Sequence, residues 1–317
     1  MGNALSLLQE AVTEKTNICA TCGKLIPEGQ TCKECGVSKF PTLAQYGKRL
    51  PVGFVEGDGA EARLLKEFDL RIVDWALERE ISRSWSKIQR SIGNNAMNYV
   101  LCVLAHAITS IAKIQFQKHT FERRIAILQE MYIGDVLYMY AFLRVETLGP
   151  EFRLQSVSCP SCNHTWDFTA DLSTIEVATH ETPKDMRRVI VLRDGFDMLG
   201  IRRKEITIRP STWRSLMSVD SDIEAEIFAE TLKDSVVAIN GVPEGAVLTD
   251  KELEQFSKYD IELINEQSDV VSGGPKWSLD IECPSCKWLF DSMIDWRYSS
   301  FFRMSSRLVT RRRQLKR

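Results

Sequence analysis

The sequence lacks the residue patterns on which most catalytic sites depend. Its 317 residues include only four histidines, and none stands at an informative spacing from a partner. It contains no Gly-x-Ser-x-Gly elbow, no Walker loop and no His-Glu-x-x-His pair. The two most apolar stretches, Tyr99–Phe116 and Met131–Val145, both carry ionisable residues, which argues against a membrane span. These absences predict a non-enzymatic protein with no small-molecule substrate and no membrane segment.

Cysteine, in contrast, is regularly spaced. Eight of the nine cysteines form Cys-x-x-Cys pairs, a spacing that favours thiolate metal sites over disulfides. The ninth, Cys102, lies in the apolar run Val100–Leu104 and is expected to be a core residue. The predicted ligands of two structural zinc ions are Cys19, Cys22, Cys32, Cys35, Cys159, Cys162, Cys283 and Cys286.

Two of the pairs share their surroundings and predict one zinc ribbon split in sequence. Each reads Cys-Pro-Ser-Cys, follows an apolar and a polar residue, and precedes aromatic residues. A closed tetrahedral site needs two such turns. Residues 163–282 separate them, and closing this longer loop costs only about 2 kcal/mol more than in an ordinary ribbon. Zinc binding contributes about 10 kcal/mol or more, so the closure is feasible. The alternative is two unrelated buried turns with reduced cysteines.

The other two pairs predict a separate zinc finger near the N-terminus. Cys19–Cys22 and Cys32–Cys35 are nine residues apart, and each is followed by a glycine, Gly23 or Gly36. The tight turn around a metal favours a residue that tolerates positive φ at this position.

Hydrophobic periodicity predicts an α+β protein. Helices are expected over 58–83, 84–117 and 120–147, in a helical region from Ser211 to Asn240, and after the capping boxes Thr249/Glu252 and Ser257/Asp260. Strands are expected over 151–158, 164–168, 186–192, 204–209 and 277–282. The predicted domains are 1–50, an N-terminal finger and linker; 51–150, a helical body; 151–302, the split ribbon with a helical insertion; and 303–317, a basic tail.

Charge leaves a nucleic-acid partner possible without favouring it. The net charge is −2, yet residues 303–317 carry seven cations and no acid. Such a tail could neutralise phosphates. However, the zinc turns have acidic neighbours as well as basic ones, and no alternation of aromatic and basic residues suggests a base-stacking surface. A solvated tail that orders against an acidic protein surface is the favoured interpretation.

An ordered series of segments resembles a known family. The run Met131–Phe152 leads into the first Cys-Pro-Ser-Cys turn and Asp171–Val177; Arg209–Trp213, Gly273–Pro275, the second turn and Asp295–Phe302 follow. Together these segments, over about residues 50–305, resemble the T-even-type phage baseplate protein family of contractile-tailed phages and prophages. The family's paired cysteines map onto Cys159, Cys162, Cys283 and Cys286. The N-terminal finger is not associated with the family's core.

The resemblance implies a non-enzymatic component of the baseplate hub or of its assembly pathway, acting through contacts with other tail or baseplate proteins. The expected location is the virion tail baseplate, with the bacterial host cytoplasm during assembly. Two alternatives remain: a tail-assembly chaperone that leaves the particle, and a zinc-ribbon regulator that binds nucleic acid.

Overall fold

The computed structural model divides the chain into two compact units, Met1–Pro41 and Thr42–Arg317. The residues that it describes are 16–18, 25–27, 40–57, 59–92, 96–217, 224–243, 245–294 and 296. In the first unit, strand β1 (Thr16–Ile18) pairs antiparallel with β2 (Leu25–Pro27). The cysteines of the predicted finger and the basic tail over 303–317 lie outside the described residues.

A four-stranded antiparallel sheet opens the second unit. The elements, in chain order, are α1 (Leu43–Tyr46), β3 (Arg49–Glu56), β4 (Arg63–Leu70), α2 (Trp75–Ile92), α3 (Ala96–Ala107), β5 (Ile108–Ile111) and β6 (Ile114–Gln115). The strand order is β3-β4-β5-β6. Residues 51–150, predicted as a helical body, therefore also hold a sheet.

The predicted helix over 58–83 is wrong in its first half. Residues 63–70 form β4, and α2 begins only at Trp75. Lys66, Phe68 and Leu70 are buried while the residues between them are exposed, so the period of two decides the structure. The predicted helix over 84–117 is also interrupted, because the β-branched run at Ile108 forms β5.

Helices α4 (Phe121–Gln129) and α5 (Ile133–Leu148) follow where one helix over 120–147 was predicted. Residues 134–144 of α5 are all buried, as expected for a helix that is apolar on several sides. Gly149, with φ of +86°, ends α5 at the predicted position.

Two hairpins and a three-stranded sheet make up most of the remainder. The elements are β7 (Glu151–Ser158), β8 (Thr165–Asp171), β9 (Val177–Ala178), β10 (Arg188–Met198), β11 (Ile201–Ile208), α6 (Trp213–Met217), α7 (Glu224–Ser235), β12 (Val236–Ile239), α8 (Asp250–Leu253), α9 (Lys258–Ser272), β13 (Gly274–Pro275), β14 (Ser278–Glu282) and β15 (Leu289–Met293). β10, β11 and β12 form one sheet, and β9 pairs with β13. The predicted strands before and after both Cys-Pro-Ser-Cys turns are confirmed for β7, β8 and β14.

Two predicted boundaries in this part were wrong. The strands predicted over 186–192 and 204–209 extend toward each other as β10 and β11 and leave only Leu199–Gly200 between them, because β10 continues to Met198 through an irregular register after Val191. The helical region from Ser211 ends at Ser235, where the run Val-Val-Ala-Ile forms β12.

The buried side chains form two clusters. The larger surrounds α3 and α5 and includes the predicted core residue Cys102, which is fully buried. The smaller lies between β10, β11, β12 and α9. Its buried members include Ile190, Phe196, Ile206, Ile239 and Ile264. The segment between the two cysteine turns thus contains a core of its own.

A buried carboxylate holds the irregular part of β3. The backbone N–H groups of Val52 and Gly53 donate to Asp135 on α5, at 2.7 and 2.9 Å. Asp135 is 1% exposed. Gly53 has φ of +84° and interrupts the β3–β4 register, so its N–H would otherwise lack a strand partner.

The pKa of Asp135 gives a testable pH dependence. Burial raises this pKa from 3.8 to about 6, against the opposing effect of the two N–H donors and Lys66. The folded state therefore binds this proton more tightly than the unfolded state, and Asp135 contributes more stability as pH falls from 7 to 4, by at most about 3 kcal/mol.

We expect the difference in unfolding free energy between the unaltered protein and Asp135→Asn to increase in favour of the unaltered protein as pH falls. Urea unfolding of both proteins at pH 7, 5.5 and 4 measures this difference, in which the titration of the other groups cancels. A difference that stays constant or decreases toward pH 4 would contradict the assigned shift.

Candidate metal centre

The two Cys-Pro-Ser-Cys turns form the tips of two antiparallel hairpins. The β7–β8 hairpin ends with Ser158 opposite Thr165, and Cys159–Cys162 lie between them. The β14–β15 hairpin ends with Glu282 opposite Leu289, and encloses the second turn in the same way. Paired strands therefore fix both ends of each turn.

Backbone hydrogen bonds shape the first turn. The Cys159 N–H donates to the His164 carbonyl, and the Asn163 N–H donates to the Cys159 carbonyl, both at 2.9 Å. Asn163 has φ of +57°, a conformation that asparagine tolerates better than most residues. His164 stacks on Trp166, with ring centroids 5.7 Å apart, and is not one of the clustered ligands.

The second turn repeats this geometry. The Cys283 N–H donates to the Trp288 carbonyl at 2.9 Å, and the Lys287 N–H donates to the Cys283 carbonyl at 3.0 Å. Lys287 takes φ of +62°. Both turns thus place their two cysteines in the same local conformation.

The four sulfur atoms come together although 121 positions separate Cys162 from Cys283. Cys159 Sγ lies 3.6 Å from Cys286 Sγ, and Cys162 Sγ lies 3.7 Å from Cys283 Sγ. All four atoms are within 4.8 Å of one another. These separations are far longer than the ~2.05 Å of a disulfide. The cluster can accept a metal ion at its centre.

Burial differs between the two cysteines of each pair. Cys159 and Cys283 are fully buried, while Cys162 and Cys286 are exposed. Trp166 on β8 meets Phe290 on β15 edge to face, with ring centroids 6.1 Å apart. This aromatic contact joins the two hairpins beside the sulfur atoms.

The thiols favour a cation at their centre. Burial opposes ionisation of Cys283, but hydrogen bonds from the N–H groups of Cys286 and Ser285 and from neighbouring thiols outweigh it and lower its pKa to about 7. The His164 N–H favours a Cys162 thiolate, yet burial and the three other cysteines raise the pKa of Cys162 to about 12. A cation at the centre of the cluster would stabilise the thiolates.

The other sequence-predicted ligands could not be placed beside this cluster, because Cys19, Cys22, Cys32 and Cys35 lie outside the described residues. Across the residues that are described, the four clustered cysteines form the one group of three or more potential ligands close enough to share an ion. All four members of that group are among the eight cysteines that the sequence predicts as ligands.

His106 and His180 both have polar partners inside the fold. His106 on α3 has Nε2 2.9 Å from Ser84 Oγ, and burial lowers its pKa, which favours the neutral ring. It lines an open groove with Arg71, but Arg71 pairs with Glu80 at 3.2 Å. His180 is buried and has Nε2 2.5 Å from the Val271 carbonyl oxygen.

The sequence did not predict the roles of two buried carboxylates, Asp135 and Asp260, which bind backbone N–H groups of β3 and β10. Asp260 accepts hydrogen bonds from the N–H groups of Arg193, Asp194 and Gly195, at 2.8, 3.1 and 3.0 Å. It had been assigned to a capping box with Ser257. Ser257 does cap α9, but the Asp260 side chain faces β10 instead. The signal for both carboxylates is an aspartate in the first turn of a helix that is otherwise well capped or apolar.

Fold and site together define a mixed α/β protein that holds several small sheets and a four-cysteine cluster capable of binding a metal ion. The family model described as T4 bacteriophage base plate protein matches residues 103–294, more than half of the chain. The chain therefore belongs to this family, as the resemblance predicted. No curated protein and no solved structure matches it.

Family membership indicates a structural role in a phage baseplate, a location in the virion tail, and contacts with other tail or baseplate proteins. It also suggests a non-enzymatic protein, as predicted. Within the described parts of the chain, no helix is long and apolar enough to cross a membrane.

Replacing Cys283 by serine should remove one equivalent of bound metal per chain, because three thiolates and a hydroxyl no longer complete the site. Metal content is measured on purified protein by mass spectrometry. Ser285→Ala, at an exposed position in the same turn, is the matched control and should retain the metal. Equal metal content in both variants would show that the cluster is not the binding site.

Proposed function

We propose that this chain is a structural component of a contractile phage tail baseplate or hub, acting through contacts with other tail proteins. The observation that carries the proposal is the match to the base plate family over residues 103–294. The proposed role requires no small-molecule substrate, membrane segment or nucleic-acid partner.

The proposed ion at the four-cysteine cluster is structural zinc. Four sulfurs at the usual Zn–S distance of about 2.3 Å around a tetrahedral ion would lie about 3.8 Å apart. The separations of 3.6 and 3.7 Å across the cluster are close to this value. A closed set of four thiolates leaves no open position for substrate, which favours a structural over a catalytic ion. The two hairpins would then be the halves of a split zinc ribbon.

A second zinc ion would be held in an N-terminal finger. Ile18, directly before Cys19, pairs with Leu25, the third residue after Cys22. The same register flanks the other two turns, at the pairs Ser158↔Thr165 and Glu282↔Leu289. A hairpin of equal loop length therefore supports a metal-binding turn at Cys19–Cys22.

The residues that follow each pair also support the finger. Asn163 and Lys287, each directly after the second cysteine of a turn, have positive φ. Gly23 and Gly36 stand at the same position of the N-terminal pairs. Glycine adopts positive φ without steric cost, so both N-terminal turns suit this conformation better than the two described turns do.

In this proposal the chain has four functional parts. They are the finger and linker over 1–50, the body over 51–150, the ribbon domain with its insertion over 151–302, and the basic tail over 303–317. Zinc would clamp the insertion at the point where the chain leaves and re-enters the ribbon, so that neighbouring tail proteins meet a preformed surface. Cytoplasmic synthesis in the host would precede incorporation into the particle.

Quantitative mass spectrometry of purified phage particles and of infected-cell lysate tests this role. We expect the chain in particles at a fixed small ratio to the other tail proteins. Abundance in lysate with absence from particles would overturn the structural role and favour a tail-assembly chaperone.

The two zinc sites can be separated by mutation. Cys19→Ser should release one zinc and leave hydrogen exchange over residues 150–296 unchanged, whereas Cys159→Ser should release the other and increase exchange there. Metal analysis and hydrogen-exchange mass spectrometry measure both effects. Unchanged metal content in Cys19→Ser would contradict the finger.

A further inference from the structure

We propose that residues 49–171 and 188–293 are two copies of one structural unit, and that the four-cysteine cluster is one of the places at which the copies join. The kind of partner that each ribbon hairpin fits is therefore a second copy of its own unit. The duplication rests on strand register, hydrogen bonds and the positions of equivalent side chains, whereas the metal at the interface rests on the zinc site proposed above.

The first line of support is the order of elements. Apart from two strands of two residues each, β6 in the first copy and β13 in the second, one copy runs β3-β4-α2-α3-β5-α4-α5-β7-β8 and the other runs β10-β11-α6-α7-β12-α8-α9-β14-β15. In both copies the third strand pairs with the second strand of the opening hairpin. In both, the last helix leads into the hairpin that carries Cys-Pro-Ser-Cys.

The opening hairpins share their register, including the position of the irregularity. The pairs are Arg49↔Glu67, Phe54↔Leu65 and Glu56↔Arg63 in the first copy, and Val191↔Glu205, Phe196↔Arg203 and Met198↔Ile201 in the second. Gly53 and Gly195 occupy the same place, both with positive φ. At each glycine an added Cβ would collide with a carbonyl oxygen of the opposite strand, from Leu65 or Arg203.

The third strands also match, at the level of single hydrogen bonds. In both copies the register shifts between the last two residues of the second strand, just before the pairs Leu70↔Ile108 and Ile208↔Val236. In the first copy, the Arg71 N–H donates to the Ala107 carbonyl at 2.9 Å and the Ala112 N–H donates to the Glu67 carbonyl at 2.7 Å. In the second copy, the Arg209 N–H donates to the Ser235 carbonyl at 2.9 Å and the Asn240 N–H donates to the Glu205 carbonyl at 3.0 Å. In both copies the helix that follows the second strand begins with a tryptophan, Trp75 in α2 and Trp213 in α6.

The buried carboxylates are equivalent as well. Asp135 and Asp260 are each the third residue of the last helix of their copy, and each accepts N–H donors from the bulge of the opening hairpin. Asp260 has three donors and Asp135 has two. The missing donor corresponds to Pro51, which occupies the place of Arg193 and has no N–H.

At the cysteine cluster the two copies meet in a reciprocal way. The first cysteine of each turn lies against the second cysteine of the other, at 3.6 Å for Cys159 with Cys286 and 3.7 Å for Cys283 with Cys162. Such an exchange is the pattern of a two-fold interface, in which the same surface of each partner is used. The two copies within this single chain would thus be joined by a metal in the way that two subunits of a symmetric dimer are joined.

Hydrogen-exchange mass spectrometry on the full chain tests whether the copies are separate units. Asp135→Asn should increase exchange in β3, β4 and α5, and Asp260→Asn in β10, β11 and α9, with no increase in the other copy. Removing metal with a chelator should increase exchange in β7, β8, β14 and β15, and leave β10–β12 protected. Exchange that increases in both copies after either substitution would overturn the proposal.

A second variant tests the residue-by-residue equivalence without weakening a carboxylate. Pro51→Ala supplies the N–H that Arg193 supplies in the second copy, so the pKa of Asp135, followed by carboxyl carbon NMR, should fall. An unchanged or higher pKa would overturn the equivalence. A chain that binds no zinc yet passes both tests would refute the proposed metal and leave the duplication standing.

Discussion

The structure depends on the closure of four cysteine sulfurs from two turns that are remote in sequence. Each turn is held by its own hairpin, so strand register sets the backbone position of each pair of cysteines. A metal bound to the cluster would hold the two hairpins against each other. Trp166 and Phe290 are the aromatic contact that supports this approach. The family match begins in α3 and ends after β15, so it includes both turns and the whole segment between them.

The two buried aspartates carry the next level of organisation. A bulge in a strand leaves backbone N–H groups without strand partners, and burying them unpaired is costly. One carboxylate from a helix satisfies two or three of these groups at once and fixes the helix to the hairpin. This interaction ties α5 to β3 and α9 to β10, and thereby anchors the helix that precedes each cysteine hairpin.

The clustering of Cys159, Cys162, Cys283 and Cys286 could be predicted from sequence, because the chemistry of a Cys-x-x-Cys turn is local and its flanking strands alternate clearly. The helix over 58–83 could not be excluded, because apolar residues at 64, 65, 68 and 72 fit a helical period as well as a strand. The β-branched residues at the ends of two predicted helices form strands instead, because they pair with strands remote in sequence, as at Ile108 and Val236. The hydrogen-bond partners of Asp135 and Asp260 lie 65 to 83 positions away, and the sequence around each aspartate does not indicate which residues they are.

The position of the cluster also determines how the chain would respond to tension. The chain leaves the ribbon after Cys162 and returns at Cys283, and a metal bound to both turns would connect these points directly. A force applied to the two ends of the chain would then pass from β7 through the metal to β15. The segment between the turns would carry a smaller share of that force than this direct connection, because strand pairing in both hairpins and the Tyr132↔Thr212 bridge also link the segment to the rest of the chain.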